Sequence, residues 1–241
     1  MKKIFLYGFS ERGPAHIRHN LPNQDSFLVK KFGSFSLLVV SDGMGSKKYA
    51  DIGSKAVCLA VYKILRKYAY LKKKYRKTKG SVFAMIKKEW LRLIFPYNEK
   101  DCSATCLFVL CSSKKCLTAM LGDGMIYIRG IDDADSQIFL DGKTDDFSNA
   151  TVSMSSSNYL NELKCKFISL KKIKSILLTS DGISSDLQDG KERDFSNDLL
   201  DDLRKEKTIR QKKSVLNQIV SNWPVPMHSD DKTIAVMEIS R

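Results

Sequence analysis

"LLVVSDGMGS", Leu37 to Ser46, decides how the rest of the chain is read. Four apolar residues, Leu37–Val40, run into Ser41-Asp42-Gly43. A short apolar run closed by turn residues reads as a buried strand. Taken alone, Asp-Gly at its end is ordinary turn chemistry, the carboxylate bonding nearby backbone. The pattern recurs, however. Asp181 in "LLTSDGI" ends a second apolar run, and Asp123 lies in "MLGDGMIYI". Asp25 in "PNQDSF" precedes a third run, and Asp230 and Asp231 in "HSDDKTIAVM" precede the last. If those strands pair, their tips converge. Carboxylates held a few ångströms apart and partly out of water repel strongly. They either take up protons or require cations. An all-oxygen donor set favours hard ions, Mg²⁺ or Mn²⁺, over zinc. Glycine after the aspartate lets a backbone carbonyl face an ion without a Cβ in the way.

Outward from this stretch, "DSFLVKKFGSFSLLVVSDG" reads as a hairpin with its turn near Lys31–Ser34. "DIGSKAVCLAVYKILRKYAYL" follows as a helix, with Ile52, Ala56, Leu59, Ala60, Lys63, Ile64 and Tyr68 on its packed face. "VFAMIKKEWLRLIF" is a second helix, its face formed by Val82, Met85, Ile86, Trp90, Leu93 and Ile94. Residues 103–128 read as three strands. The segment 130–160 is polar and aperiodic, and its "SMSSSN" run reads as mobile. A strand ending at Asp181, two helices and a closing strand in "DKTIAVMEIS" complete the chain. Strands in runs, broken by helix pairs, favour α+β with antiparallel pairing over a regular parallel array. With no repeat, linker or low-complexity segment, residues 1–241 read as one domain.

Composition narrows the class. A 43% hydrophobic fraction is that of a globular chain. No apolar run approaches the roughly 20 residues that span a bilayer. The N-terminal "MKKIFLYGFSERG" is too short in its apolar part for a signal core of about 7–15 residues. The expectation is a cytoplasmic monomer with no membrane partner. Six cysteines, four of them in "CSATCLFVLCSSKKC", match no zinc spacing and read as reduced, partly buried thiols. The net charge is +14, and residues 1–100 alone carry 22 basic against 6 acidic side chains. Such asymmetry points to an anionic partner or to a solvated basic face.

The ordered set "PNQDSF", "VVSDGMGS", "MLGDGMIYI", "LLTSDGI" and "SDDKTIAV" resembles the metal-dependent serine/threonine protein phosphatases of type 2C, the PPM family, in its compact bacterial form. The resemblance runs from about residue 8 to residue 238. It implies a four-layer α-β-β-α sandwich of two mainly antiparallel sheets flanked by helices. It implies two Mn²⁺ or Mg²⁺ ions and attack on phosphorus by a water that bridges them. Carried over by motif, Asp42 bridges both ions, the Gly43 carbonyl binds one, and Asp181 and Asp230 complete the other site. Asp25 orients the water. Asp123 is the candidate ligand of a third, weaker ion. The implied substrate is a phosphoserine or phosphothreonine protein, with a cognate kinase as counterpart, and 130–160 is the flap that shapes substrate choice.

Several positions depart from the family pattern. Gln24 stands where an acid is usual, and Met44 where many members have histidine. The phosphate-binding arginine usually lies four residues before Gln24, which here is Asn20. Arg18 and, more weakly, His16 are the phosphate-binding candidates, with Arg12 further out. Ser103-Ala104-Thr105 replaces a Gly-Thr-Thr, and the acid expected at Ser185 is shifted to Asp186. These departures motivate an alternative, a phosphatase-like binding module with impaired catalysis. A second alternative rests on "RKYAYLKKKYRKTKG", Arg66–Gly80, whose tyrosines among lysines suit nucleic-acid binding. The bland reading of that run is a solvated helix end, and nucleic acid is the less favoured partner.

Overall fold

A computed structural model describes residues 3–70, 79–140 and 151–240. Two five-stranded sheets hold the chain together, and among the described residues their strand pairings are antiparallel. The strands are β1 (Lys3–Glu11), β2 (Ser26–Phe32), β3 (Phe35–Ser41), β4 (Cys106–Cys111), β5 (Lys115–Leu121), β6 (Met125–Gly130), β7 (Gln137–Leu140), β8 (Lys164–Ser169), β9 (Ile173–Thr179) and β10 (Lys232–Ser240). One sheet has the order β1-β10-β9-β6-β7, the other β2-β3-β4-β5-β8. The helices are α1 (Pro14–Arg18), α2 (Ala50–Tyr70), α3 (Lys79–Ile94), α4 (Tyr159–Glu162), α5 (Asp181–Ser184), α6 (Glu192–Lys205) and α7 (Ile209–Ser221).

The apolar run before Asp42 is continuous because β3 is buried on both faces. Leu37 and Val39 pack towards α2 and α3 with Val57, Val61, Ile86 and Trp90. Leu38 and Val40 point the other way, into the layer between the sheets, against Leu178, Ala235 and Met237. A third apolar layer joins the far side of the other sheet to α6 and α7 through Tyr127, Leu177, Leu200, Leu216 and Val236. These three layers give the α-β-β-α sandwich. Each fully buried Leu, Ile or Val contributes about 1.5–3 kcal/mol, so β3 is held on both sides by its own side chains. Gly33, at φ +53°, supplies the left-handed turn position that brings Phe32 opposite Phe35 in the β2–β3 hairpin. Thr208 and Gln211 cap α7 reciprocally.

Three expectations from the sequence are corrected. Cys111 and Cys116 are joined in a disulfide rather than reduced, because the β4–β5 hairpin sets them directly opposite each other. Leu59 is exposed, and the buried face of α2 runs instead through Ala56, Val57, Ala60, Val61 and Leu65. "SMSSSN" is anchored: Met154 is fully buried in the core, and its N–H donates to the Ala104 carbonyl. Within 130–160, Gln137–Leu140 adds an edge strand to β6, while residues 141–150 lie outside the described residues. Most of the basic run, 71–78, also lies outside them. Among the described residues no helix is long and apolar enough to cross a membrane.

Candidate active site

The acids singled out in the sequence gather at one end of the sandwich, each placed by a strand terminus. Asp42 leaves β3 stitched to Thr105, which precedes β4. The Asp42 N–H donates to Thr105 Oγ1 at 2.9 Å, the Thr105 N–H donates to the Asp42 carbonyl at 2.8 Å, and Ser41 Oγ donates to the Thr105 carbonyl at 2.6 Å. Asp25 precedes β2, and its N–H donates to Asn23 Oδ1. Its Oδ2 accepts from Ser180 Oγ at 2.7 Å, and its Oδ1 is buried without a hydrogen-bond partner. Asp181 follows β9. Asp123 sits in the β5–β6 turn between Gly122 and Gly124, both at positive φ, and accepts from Thr151 Oγ1 at 2.8 Å. Gly43 is buried, and a Cβ there would overlap the Ala50 carbonyl.

One oxygen each from Asp42, Asp123 and Asp181 lies within 4.8 Å of the other two. Burial pushes the Asp181 carboxyl up to about 7, helped by the neighbouring charges of Asp123, Asp230 and Asp25. Burial also pushes Asp25 up to about 6, against the opposing pull of the Ser180 hydroxyl. Asp42 is raised well above the usual carboxylate range, first by burial and then by Asp25 and Asp181. Carboxylates so crowded are stable together only when protonated or when a cation shares them. The donor set is all oxygen, with an unused buried oxygen on Asp25, and fits a hard divalent ion.

Asp230 is the exposed member of a second group, with His16 and Asp231. Its neighbour Asp231 is only 1% exposed and works as a clamp. Asp231 accepts the backbone N–H groups of Gly13 and Gln24, both at 2.6 Å, and its Oδ2 lies 2.8 Å from His16 Nδ1. One carboxylate thus ties the β1–α1 junction and the approach to Asp25 to the start of β10. Of the two phosphate-binding candidates, His16 is brought beside Asp230, while Arg18 is exposed at the C-terminal end of α1. Arg12 donates to the Leu21 carbonyl. Gln24 is 5% exposed, with its Oε1 buried next to the Asp42–Gly45 loop. Asp186 accepts from Trp223 Nε1 at 2.7 Å and lies 3.3 Å from Lys232 Nζ.

Sequence reasoning did not assign Ser180, Thr105, Thr151 or Asp231. The doublet Asp230-Asp231 was the one visible signal, since two adjacent acids before a strand cannot both point the same way.

The model for protein phosphatase 2C matches residues 12–220. A sequence search of curated proteins finds no match. Among solved structures, a bacterial serine phosphatase shares the fold with a TM-score of 0.67 at 20% identity, covering 99% of this chain and 98% of that one. The serine/threonine phosphatase Stp1 from Staphylococcus aureus gives 0.64 at 18% identity, covering 99% and 96%. The catalytic domain of the serine/threonine protein phosphatase PstP, in complex with two manganese ions, gives 0.61 at 15% identity, with both chains fully covered. The chain belongs to the protein phosphatase 2C family, and it is a phosphoprotein phosphatase of the metal-dependent class that uses Mn²⁺ or Mg²⁺.

Proposed function

We propose that the protein hydrolyses phosphoserine and phosphothreonine in protein substrates at the Asp25–Asp42–Asp181 centre, with two ions as cofactor. The observation that carries this reading is the convergence of Asp42, Asp123 and Asp181 from three separate strand ends to within 4.8 Å. Asp42, the Gly43 carbonyl, Asp181 and Asp230 are the assigned ligands, with Asp123 the ligand of a third, weaker ion. Bound Mn²⁺ or Mg²⁺ would supply charge stabilisation on phosphorus and a bridging water ionised near neutral pH.

The chain's own residues do the positioning. Ser180 fixes Asp25 through Oδ2, which leaves Oδ1 as the acceptor for a proton of the attacking water. Asp231 holds His16 beside Asp230, where the imidazole can take a phosphate oxygen; Arg18 is the outer candidate for the same task. No side-chain nucleophile is required in such a reaction. Cys58 agrees, since burial pushes its thiol up to about 12 and leaves it un-ionised. Pairing of β1 with β10 supports reading residues 1–241 as one catalytic domain.

The test is Mn²⁺-dependent hydrolysis of an aryl phosphate and of a phosphothreonine peptide, by wild type and Asp42→Ala. Turnover that disappears in the variant is expected; full turnover in Asp42→Ala refutes the assignment. Gln24 and Met44, in place of an acid and a histidine, favour the second reading, a binding module. Metal binding by calorimetry with no turnover would establish it.

A further inference from the structure

A groove opens directly from the proposed ion site. Asp181, Gly182 and Asp230 form its inner end, and Ser185, Asp186, Val225, Pro226, Met227 and His228 continue it outward.

The outer wall is built in an unusual way. Met227 is 98% exposed, the highest value among the exposed large apolar side chains of the described residues. Its backbone is also left-handed, at φ +58°, a conformation that L side chains adopt only at a cost. Nothing in the packing of the free protein rewards holding a thioether in water on a strained backbone. Strain of this kind persists where the surroundings impose it, commonly at binding sites. Pro224 and Pro226 stiffen the same loop. Methionine is the side chain best able to mould itself to different apolar partners.

The groove floor carries little uncompensated charge. The Asp186 carboxylate accepts from Trp223 Nε1 and faces Lys232 Nζ at 3.3 Å, so its charge is offset within the protein. Lys232 is itself buried against the Trp223 ring. A basic side chain entering the groove would therefore find no free acid beyond those committed to the ions. An apolar side chain would find Val225, Pro226 and Met227. The Nδ1 of His228, buried without a hydrogen-bond partner, remains for a peptide amide or carbonyl.

We propose that Val225 and Met227 form a specificity subsite that receives an apolar side chain next to the phosphorylated residue of the substrate protein. The inference rests on the phosphatase reading above and names the substrate class that the centre prefers. Leucine, isoleucine or methionine beside the phosphoresidue is favoured, and aspartate or lysine at the same place is not.

The experiment uses the full chain with Mn²⁺ and two kinds of substrate. One is an aryl phosphate, which carries no residue next to the phosphate ester. The other is a set of phosphothreonine peptides carrying Leu, Ala, Asp or Lys at the positions on either side of the phosphoresidue. Leucine at one of these positions should raise kcat/KM about tenfold over aspartate or lysine, the discrimination expected of a few apolar contacts in a mixed groove. Met227→Asn and Met227→Gly both suit the left-handed backbone, so folding is not put at risk. Both should erase most of the leucine preference and leave aryl-phosphate turnover unchanged. Equal rates across the peptides, or a lysine preference, with normal aryl-phosphate turnover overturns this inference alone. Loss of aryl-phosphate turnover in the Met227 variants also overturns it, by placing Met227 in the centre itself. No Mn²⁺-dependent turnover of either substrate overturns the phosphatase reading and this inference with it.

Discussion

Asp181→Asn should make the metal-free protein more stable while destroying its response to metal. The reasoning starts from the carboxyl itself. Its pKa is raised from 3.8 to about 7 by burial and by the neighbouring charges of Asp123, Asp230 and Asp25. A raised acid pKa means that the folded state binds a proton which the unfolded chain has already released. Stability then falls as pH rises from about 4 to about 7, and stays low above that. At 1.36 kcal/mol per pKa unit the shift amounts to about 4 kcal/mol. Its neighbours share that energy, so neutralising this one group recovers about 2 kcal/mol at pH 7.5. For a chain of this size that is about 4–8 °C in Tm. At pH 5 the folded carboxyl is protonated while the unfolded one is already largely ionised, so less than half of that fall has occurred and the advantage of the variant should shrink to about 1 kcal/mol or less. Mn²⁺ at one hundred times its Kd should stabilise the wild type by about 2.7 kcal/mol and the variant far less. The assay is urea denaturation in EDTA and in Mn²⁺, at pH 5.0 and pH 7.5. A variant less stable than wild type in EDTA at pH 7.5, or a difference independent of pH, refutes the picture of mutually repelling carboxylates.

Two further outcomes follow from the packing. Lys212 Nζ lies 2.9 Å from Glu238 Oε1 with both side chains buried, and Glu238 also accepts from the Tyr7 hydroxyl. Lys212→Met should cost about 3–5 kcal/mol in urea denaturation by stranding the buried carboxylate, and adding Glu238→Leu should restore most of it. Gly13→Ala would drive a Cβ into the Asp230 backbone and to 2.5 Å from the Ser229 carbonyl oxygen. Overpacking of that kind costs about 1–3 kcal/mol, and here it should also lower Mn²⁺-dependent turnover at least tenfold by displacing His16 from Asp230.

The sandwich was legible where burial is two-sided or periodic. Leu37–Val40, the α3 face and the three strands of 103–128 all stand as the pattern predicts. Three strands escaped it. β1 begins in a basic, mixed segment, β7 has four residues, and the β8 side chains are largely exposed. A strand at a sheet edge, half in water, carries little hydrophobic period to read. The candidate ligands were legible because Asp-Gly at a strand tip is local. Asp231 and Ser180 were not, because their roles are hydrogen bonds across 207 and 155 residues of separation. Lys232 shows the same limit. A lysine opening a strand reads as solvent-facing, yet this one is 2% exposed because Trp223 and Asp186 cover it.

The Asp231 clamp has a consequence in time. During synthesis Asp25, Asp42, Asp123 and Asp181 all leave the ribosome before Asp230 and Asp231. Until β10 arrives there is no central strand between β1 and β9, and no carboxylate to draw Gly13, His16 and Gln24 together. Contacts of such long sequence separation form late and close slowly. A chain in which β10 has not yet paired is therefore expected to lack turnover, and activity to follow the insertion of β10 between β1 and β9.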